Sequence, residues 1–445
     1  MKPIRVIGAG LAGCEAAWQA ARLGVPVILS EMKPKRYSPA HVYPGFAELV
    51  CSNSLRSAQL SNAVGLLKEE MRRLGSFVID SADKTQVPAG AALAVDRTAF
   101  SDLITSRIAS NPLITVRGEE VVEIPADGVT VIATGPLTDG KMADAISTFF
   151  GGDQLSFFDA VAPIVDASSV DTSIAYFATR YGKGDPTDYL NCPMTREEYD
   201  AFYEALIHAE TAPLHDFDAE AQREPNVFEG CMPVEVMAQR GYDTLRYGPM
   251  KPIGLPDPKT GREPFAVVQL RRENSAGTMY NLVGFQTHLT FGAQKRVFGL
   301  IPGLQNAAYF RYGVMHRNTY LNSPSRLSAQ YETLSRKGLF FAGQITGVEG
   351  YVESASSGFV AGVTAALRAR GEEPIDFPAL TVIGSLGHYV SSGGLGKFQP
   401  MNASFGLLSP LEKRVKGGKR ARNDEYANRS LIAVDDLGNR IFGEK

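Results

Sequence analysis

The feature that most constrains this chain is a glycine-rich turn close to its first residue. The turn is Gly8-Ala9-Gly10-Leu11-Ala12-Gly13, and it lies between a predicted strand, Ile4 to Ile7, and a predicted helix, Cys14 to Leu23. A second predicted strand, Val25 to Leu29, ends just before Glu31. Strand, G-x-G-x-x-G turn, helix, strand and acid in this order form the fingerprint of a dinucleotide-binding Rossmann unit. The sequence therefore predicts an α/β fold built around a dinucleotide.

Each part of the fingerprint has a physical reason. Gly8 permits a tight turn, Gly10 lets the backbone approach a pyrophosphate, and Gly13 lets the helix pack closely on the strand. The helix N-terminus offers free N–H groups and a partial positive charge to the phosphates. Glu31 can accept hydrogen bonds from a ribose. We expect residues 8–13 and Glu31 to bind the dinucleotide; the alternative is a glycine-rich turn in an unrelated α/β protein.

A related pattern returns late in the chain. Gly338 to Gln344 predicts a strand and a glycine turn, and Tyr351 to Arg368 predicts a helix whose small residues approach a cofactor or a sheet. FAD enzymes hold the flavin end with such a segment, so the two ends of the chain favour FAD over NAD. We expect Gly343, Gln344 and Tyr351 at this cofactor. No second G-x-G-x-x-G has this context, so NAD(P)H is expected to visit the flavin transiently.

These patterns divide the chain into three segments. Residues 1–141 are predicted to form the first part of a Rossmann-like FAD-binding domain, and residues 336–445 its second part with a basic C-terminal region. Residues 142–335 mix aromatic residues, prolines and acids with short strands, which predicts an inserted α+β domain that binds the substrate. Within the first segment, Asp96 is predicted to cap a helix over 97–109, and residues 120–124 are predicted to form a strand.

Composition excludes several classes of protein. The 445 residues are 44% hydrophobic and 21% charged, as in an ordinary globular protein. No apolar run approaches the roughly 18 residues of a membrane helix, and a core strand stands where a signal peptide would be. The four cysteines are widely spaced, without a C-x-x-C pair, so no metal site is predicted. We expect a cytoplasmic protein with free thiols.

Charge is distributed unevenly along the chain. Residues 197–224 carry nine acids and one base, whereas residues 266–340 carry nine bases and two acids. Residues 413–422 add six bases and no acid. Such polarisation suits a polyanionic partner, such as a nucleic acid. A solvated face beside the phosphates of a flavin is the alternative.

Two cysteines are candidates for chemistry. Cys51 lies in a polar loop, and Cys231 is placed by nearby glycine and proline in a loop before a helix. A helix N-terminus or a nearby cation lowers the pKa of a thiol and makes it a nucleophile, and Arg56 is such a cation near Cys51. Cys14 and Cys192 are expected to be structural. Burial as packing remains the alternative for every free cysteine.

Several longer motifs carry a family resemblance. They are Gly8 to Ala17, Leu49 to Arg56, Phe228 to Glu235, Arg246 to Leu255, Asn281 to Thr287, Arg311 to Asn318, Gly343 to Tyr351 and Phe398 to Asn402. With them the chain resembles, almost end to end, the TrmFO family of folate- and FAD-dependent tRNA (uracil-5-)-methyltransferases. The fingerprint alone also fits the related GidA flavoproteins, which act on a wobble uridine. A small-molecule FAD oxidoreductase is a further alternative.

The resemblance implies a reaction and roles for residues. Methylenetetrahydrofolate supplies one carbon to C5 of a uridine in the tRNA T-loop, at position 54, and NAD(P)H supplies the reducing power through FAD. It implies Cys231 as the nucleophile and Cys51 as a second thiol, with these two roles open to exchange. His288 or Tyr351 is implied as the residue that stacks on the folate. The basic stretches become a tRNA surface with Arg271, Arg272, Lys295, Arg296, Lys413, Arg414, Lys419 and Arg420 as candidates. The oligomeric state is left open, as a monomer or a weak dimer.

Overall fold

The computed structural model describes residues 1–38, 40–152, 154–160, 162–182, 184–212, 232–274, 276–393, 398–413 and 415–443, with the backbone alone for 154–160 and 315–317. Its helices are α1 Leu11–Arg22, α2 Ala63–Leu74, α3 Phe77–Lys84, α4 Arg97–Ala109, α5 Gly140–Phe150, α6 Arg196–Ile207, α7 Val234–Gln239, α8 Thr244–Tyr247, α9 Phe291–Phe298, α10 Tyr351–Ala369, α11 Val382–Ser392 and α12 Gly418–Phe442.

The strands occur in four sheets. They are β1 Ile4–Ile7, β2 Val27–Glu31, β3 Ser54–Ser57, β4 Gln86–Val87, β5 Ala92–Val95, β6 Ile114–Gly118, β7 Thr130–Ile132, β8 Gln154–Ala160, β9 Ile164–Asp166, β10 Tyr176–Phe177, β11 Tyr189–Met194, β12 Ala266–Arg272, β13 Met279–Leu282, β14 Tyr309–Arg311, β15 Met315–Leu321 and β16 Leu339–Phe341. A five-stranded parallel sheet has the order β16-β7-β1-β2-β6, and a six-stranded antiparallel sheet has the order β10-β11-β12-β13-β9-β14. Smaller sheets pair β15 with β8 and order β3-β5-β4.

The parallel sheet joins the two ends of the chain. Strand β16, from the late segment, lies beside β7, and β7 lies beside β1. Its buried strands are short and apolar, as parallel strands covered on both faces are. Helix α1 packs on α10 so closely that a Cβ at Gly358 would meet the carbonyl oxygen of Ala12 at 2.2 Å. At this position, therefore, a small residue of α10 allows another helix to pack closely, and not a sheet.

The described residues form two large hydrophobic cores, and in sequence the second core is inserted into the first. The first contains side chains from Ile4 to Ile146 and resumes from Leu321 to Ile441. The second contains side chains from Val165 to Ala307, which cover the antiparallel sheet and helices α6 to α9. The domain boundaries at 141/142 and 335/336 stay predictions. Helix α5 crosses the first of these boundaries, and its buried residues Met142 and Ile146 belong to the first core.

Two local predictions have opposite outcomes. Asp96 caps α4 as predicted, because its side chain accepts hydrogen bonds from the backbone N–H groups of Thr98 and Ala99 at 3.1 Å each. The strand predicted over 120–124 is wrong, since these residues have no strand structure. The preceding strand β6 is the edge of its sheet, and beyond it Glu119 accepts from Ser30 while Glu120 pairs with Arg36. Side-chain contacts replace the strand pairing there.

Candidate active site

A cavity of about 470 Å³ connects the glycine turn to the N-terminus of α10. One end is lined by Gly8, Ala9, Gly10, Leu11, Ala12 and Glu31, and the other by Gly343, Gln344 and Tyr351. All of the predicted cofactor residues except Gly13 therefore line one space. Gly13 has a different place: a Cβ there would lie 1.8 Å from the carbonyl oxygen of Gly8, so this residue lets the turn pack on its own helix.

Glu31 fixes the turn at the first end of the cavity. Its carboxylate accepts a hydrogen bond from the backbone N–H of Ala9 at 2.7 Å and another from that of Lys33 at 2.9 Å. Each carboxylate oxygen has a second lone pair, which leaves acceptor capacity for ribose hydroxyls. Glu31 is thus both a brace for the glycine turn and a possible ligand for a dinucleotide.

The arrangement fits FAD. Gly8 has a φ of +98°, which favours glycine, and a Cβ at Gly10 would meet no atom within 4 Å, so the space beyond this residue is open. Helices α1 and α10 both begin at the cavity, and the first N–H groups of a helix have no partner within it. The cavity thus offers phosphate-binding backbone at one end and a second helix N-terminus at the other.

Cys51 lies in the wall of this cavity, and Tyr351 holds its backbone. The Tyr351 hydroxyl accepts hydrogen bonds from the N–H of Cys51 at 2.6 Å and from that of Ser52 at 3.2 Å. Burial, and after it the charge of Cys51, raises the pKa of Tyr351 well above its usual value, so the phenol is neutral at physiological pH. Tyr351 is therefore committed through its hydroxyl to the cysteine loop, while its ring borders the cavity.

A buried ion pair holds the same loop from the opposite side. Arg97, the first residue of α4, donates to the carbonyl oxygens of Leu49 and Val50 at 2.5 and 3.1 Å. Its Nε lies 2.6 Å from a carboxylate oxygen of Glu273, whose side chain is 1% exposed. Burial lowers the pKa of Arg97, but the Glu273 carboxylate opposes this and the net pKa is raised. Arg97 begins α4, which packs in the first core, and Glu273 follows β12, which packs in the second. The pair therefore joins the two parts of the molecule that contain these cores, here called the two units, at the cysteine loop.

Arg271 completes this end of the cavity. It donates to Ser52 Oγ at 2.8 Å and to Asn53 Oδ1 at 3.1 Å, and Asn53 is itself fully buried. The Asn53 amide donates to the carbonyl oxygens of Val95 and Arg272 at 3.0 and 2.8 Å. The loop after Cys51 is therefore held by side chains from two units and cannot shift without breaking several buried contacts.

The relatives of the chain agree with these features. Residues 3–373 match the family described as glucose inhibited division protein A. Proteins of Enterococcus faecalis and Acetivibrio thermocellus, each named methylenetetrahydrofolate--tRNA-(uracil-5-)-methyltransferase TrmFO, are 57% and 59% identical over 97% and 96% of this chain and 97% of each relative. The chain belongs to the TrmFO family. The resemblance in its motifs is thereby confirmed.

A solved structure confirms the fold of this TrmFO-family chain. The structure of Aquifex aeolicus GidA matches it with a TM-score of 0.70 and 18% identity, over 100% of this chain and 74% of that one. The predicted α/β, Rossmann-type flavoprotein fold is correct. In the described part of the chain no helix is long and apolar enough to cross a membrane, and no cluster of ligating side chains could hold a metal ion.

The remaining predicted residues have different locations. Cys231 and Arg414 lie outside the described residues. His288 is half-buried and is not among the residues that line the cavity; burial lowers the pKa of its imidazole, and its backbone N–H donates to Glu235 at 2.7 Å. The structure therefore gives no cavity contact for His288, whereas Tyr351, the other folate candidate, has one.

The eight candidates for a tRNA surface separate into two groups. Lys295, Arg296, Lys413, Lys419 and Arg420 are exposed. Arg271 is 7% exposed, lines the cavity and faces the cysteine loop, so it does not lie on the outer surface, and its contact with tRNA stays a prediction. Arg272 is partly buried, and its Nε has no hydrogen-bond partner among the described residues. A count of bases along the sequence could not separate these environments.

Several residues of the site were not predicted. Arg97 and Glu273 clamp the cysteine loop, and His41 and Glu353 line the cavity. One signal for Arg97 exists in the sequence: it opens a helix, where the helix dipole favours an acid over a cation, so its charge needs a partner elsewhere. Glu273 and Glu353 have no such local signal. Arg56, the cation predicted near Cys51, lines the same cavity as Cys51, pairs with Glu353 at 3.3 Å and donates to Asn402 at 3.1 Å.

Proposed function

We propose that this protein methylates C5 of a uridine in tRNA, with methylenetetrahydrofolate as the carbon donor and FAD and NAD(P)H as the reducing system. The observation that carries the proposal is the identity of 57% over 97% of the chain to a relative named for this activity. The cavity supports it, since dinucleotide-binding backbone and Cys51 line the same space. The uridine at position 54 of the T-loop is the proposed target.

The chemistry requires a nucleophile, because C5 of uracil reacts poorly by itself. A thiolate that adds to C6 makes C5 an enolate-like carbon, and this carbon can then accept a one-carbon unit. Loss of the C5 proton then breaks the bond between the transferred carbon and its folate carrier, so that tetrahydrofolate leaves and C5 carries an exocyclic methylene. A hydride added to this methylene makes the methyl group, expels the thiolate from C6 and restores the ring. Bound FAD, kept reduced by NAD(P)H, would supply that hydride.

The residues of the chain have defined tasks in this proposal. Glu31 and residues 8–12 bind one end of FAD, and Gly343, Gln344 and Tyr351 lie at the other. Cys231 is proposed as the nucleophile, with Cys51 as the second thiol. The hydrogen bonds of Tyr351, Arg97 and Arg271 hold the Cys51 loop in place before the substrate arrives. Such preorganisation matters because a small displacement of a reacting group is costly in rate.

The target must also be brought into reach. A uridine stacked in a folded loop has to be turned out of the RNA to meet a cavity of this kind. Phosphate contacts from exposed cations would provide affinity with little choice of base. We further propose a cytoplasmic location, where tRNA and folate are both present, and leave a monomer and a weak dimer as the two forms to be distinguished by sedimentation.

The experiment is nucleoside mass spectrometry of an unmodified tRNA transcript after incubation with the protein, methylenetetrahydrofolate, FAD and NADPH. We expect 5-methyluridine that disappears when the folate is omitted. Cys51→Ala and Cys231→Ala should bind FAD and lose turnover, while Cys192→Ala, which alters a fully buried thiol of the second core, is the matched control.

Two other products would change the conclusion. An aminomethyl group on a wobble uridine would indicate the reaction of the GidA-like alternative. An unchanged tRNA, from protein that is folded and yellow, would favour a small-molecule FAD oxidoreductase. Normal turnover by Cys231→Ala would contradict the role given to that thiol without affecting the reaction class.

A further inference from the structure

Three aromatic rings form a column on the inserted unit. Phe291, at the start of α9, stacks on Tyr312 with ring centroids 4.7 Å apart and planes 17° from parallel. Tyr312 stacks in turn on Tyr309, at 4.7 Å and 15°. Tyr309 packs against the second core, whereas Phe291 is 55% exposed. The column thus begins in the interior and ends in an aromatic face that is open to solvent.

The column is held rigidly. Gln294, fully buried in α9, donates to the carbonyl oxygen of Gly313 at 2.8 Å and accepts from the N–H of Gly313 at the same distance. This reciprocal pair fastens the helix that carries Phe291 to the segment that carries Tyr312. The outer face of this ring is in contact with water, so a ligand that stacks on it removes apolar surface from water. A ligand that stacks on this face would find it already ordered.

The segment that carries two of these rings also carries a residue that interacts with the cysteine loop. Arg311 stands between Tyr309 and Tyr312 in sequence, and burial and the nearby charge of Arg97 lower its pKa. Tyr351 and Cys51 are also close enough for their charges to act on Arg311. None of the three rings belongs to the described lining of the cavity. Phe291 therefore presents its face outside the cavity, and its column is connected to the cysteine-loop wall through the segment that carries Tyr309, Arg311 and Tyr312.

The charge beside Phe291 suits an anionic partner. Lys295 follows Phe291 by four residues on α9, so the two side chains lie on one face of the helix. Lys295 is exposed, and no carboxylate of the described residues pairs with it. Its neighbour Arg296 pairs with Glu210. Lys295 is thus available to contact a phosphate beside the aromatic face, whereas Arg296 is paired with a carboxylate.

We propose that the exposed face of Phe291 stacks on an unpaired nucleobase of the tRNA, outside the cavity, while Lys295 contacts a neighbouring phosphate. Aromatic side chains recognise unstacked RNA bases in this manner, and the stacking tolerates any base. The inference rests on the proposed function, because it assumes that RNA approaches the wall containing Cys51. It assigns to the inserted unit a positioning task distinct from covalent chemistry.

The test compares tRNA binding by the FAD-loaded full chain and its variants, by fluorescence anisotropy over a series of salt concentrations. Phe291→Ala should weaken binding by about 5- to 150-fold, the range expected for one base stacked on an aromatic ring. Phe291→Trp should bind at least as well as the original protein. Lys295→Gln should reduce the slope of log affinity against log salt by about one, which Phe291→Ala should leave unchanged.

Tyr247→Ala is the matched control, since Tyr247 is 79% exposed and makes no ring contact among the described residues. Unchanged tRNA affinity in Phe291→Ala would overturn the proposal. A raised KM for methylenetetrahydrofolate with unchanged tRNA affinity would also overturn it and assign the ring to the folate. Loss of a dimer in sedimentation, again with unchanged tRNA affinity, would assign it to a second copy. Failure of the original protein to bind or methylate tRNA would instead contradict the proposed function.

Discussion

The two ends of the cavity are built in different ways. At the glycine turn the wall is backbone from one short stretch of chain, braced by the carboxylate of Glu31. At the cysteine loop the wall is held by side chains from distant segments, including Arg97, Arg271 and Tyr351. The first end depends on the absence of side chains, and the second on their charges and hydroxyl groups. Substitutions should therefore fail at the two ends for different physical reasons.

The largest effect is expected from Gly13→Ala. The new Cβ would lie 1.8 Å from the carbonyl oxygen of Gly8, and since both atoms belong to or adjoin backbone, neither can move away cheaply. We expect a loss of unfolding free energy of about 3 kcal/mol or more, at or beyond the upper end of overpacking costs. Thermal unfolding of the purified variant measures this loss.

Gly10→Val is the matched variant of the same turn. A side chain at Gly10 meets open space and not protein, so this variant should fold normally and lose FAD. Flavin absorbance after gel filtration reports the bound cofactor. A fully FAD-loaded Gly10→Val would show that the pyrophosphate does not pass over this residue. A stable Gly13→Ala would show that the turn and helix can separate.

This contrast explains how much of the protein its sequence predicts. The glycine turn, Glu31, the Asp96 cap and the late strand and helix depend on neighbours in sequence, so their spacing indicates them directly. The partners of the cysteine loop depend on folding: Glu273 meets Arg97 only because the inserted unit packs beside α4. For the same reason Arg271 could not be distinguished from the exposed cations. A lone histidine such as His288 likewise carries no local signal that tells whether it lines the cavity, and it is not among the lining residues.

The second prediction concerns the ion pair at the other end. Arg97→Met leaves the Glu273 carboxylate buried without its partner and frees the carbonyl oxygens of Leu49 and Val50. We expect the free energy of unfolding to fall by about 3 kcal/mol, as when one partner of a buried pair is removed. Denaturant titration measures the loss, and methyl transfer should fall with it.

A double variant separates stability from positioning. Replacement of a whole buried pair by apolar residues is often close to neutral, so Arg97→Met with Glu273→Leu should recover most of the lost stability. The loop would still lack its clamp, and methyl transfer should stay low. Recovery of full turnover in the double variant would mean that the pair serves folding alone.

The third prediction is that the free energy of unfolding depends on pH through Lys68, which contacts the strand that follows the cysteine loop. Lys68 is fully buried and donates to the carbonyl oxygen of Leu55 at 2.8 Å, and burial lowers its pKa from 10.5 to about 7. Between these values the unfolded chain binds one more proton than the folded protein. Stability contributed by this group therefore rises as pH increases from about 7 to about 10, by about 1.4 kcal/mol per pH unit at most.

Lys68→Met should remove this part of the pH dependence. The measurement is the free energy of unfolding of both proteins at several pH values between 7 and 10. Lys84→Met serves as the control, because it removes a lysine whose side chain is 56% exposed and not buried. A slope in Lys68→Met equal to that of the original protein would mean that Lys68 is protonated in the fold.

The smallest loss of stability is expected from Tyr351→Phe. This variant keeps the ring that borders the cofactor cavity and removes only the hydroxyl that holds the cysteine loop. The ring that borders the cavity remains, but the hydroxyl that accepts from Cys51 and Ser52 is lost. These N–H groups lie beside a cavity that can admit water, so we expect the free energy of unfolding to fall by only about 1 kcal/mol. If the ring alone serves the cofactor, FAD occupancy should be unchanged while methyl transfer declines about tenfold or less. The rate of Cys51 alkylation reports whether the cysteine loop has moved. Loss of FAD with an unchanged alkylation rate would show that the Tyr351 hydroxyl serves cofactor binding and not the cysteine loop.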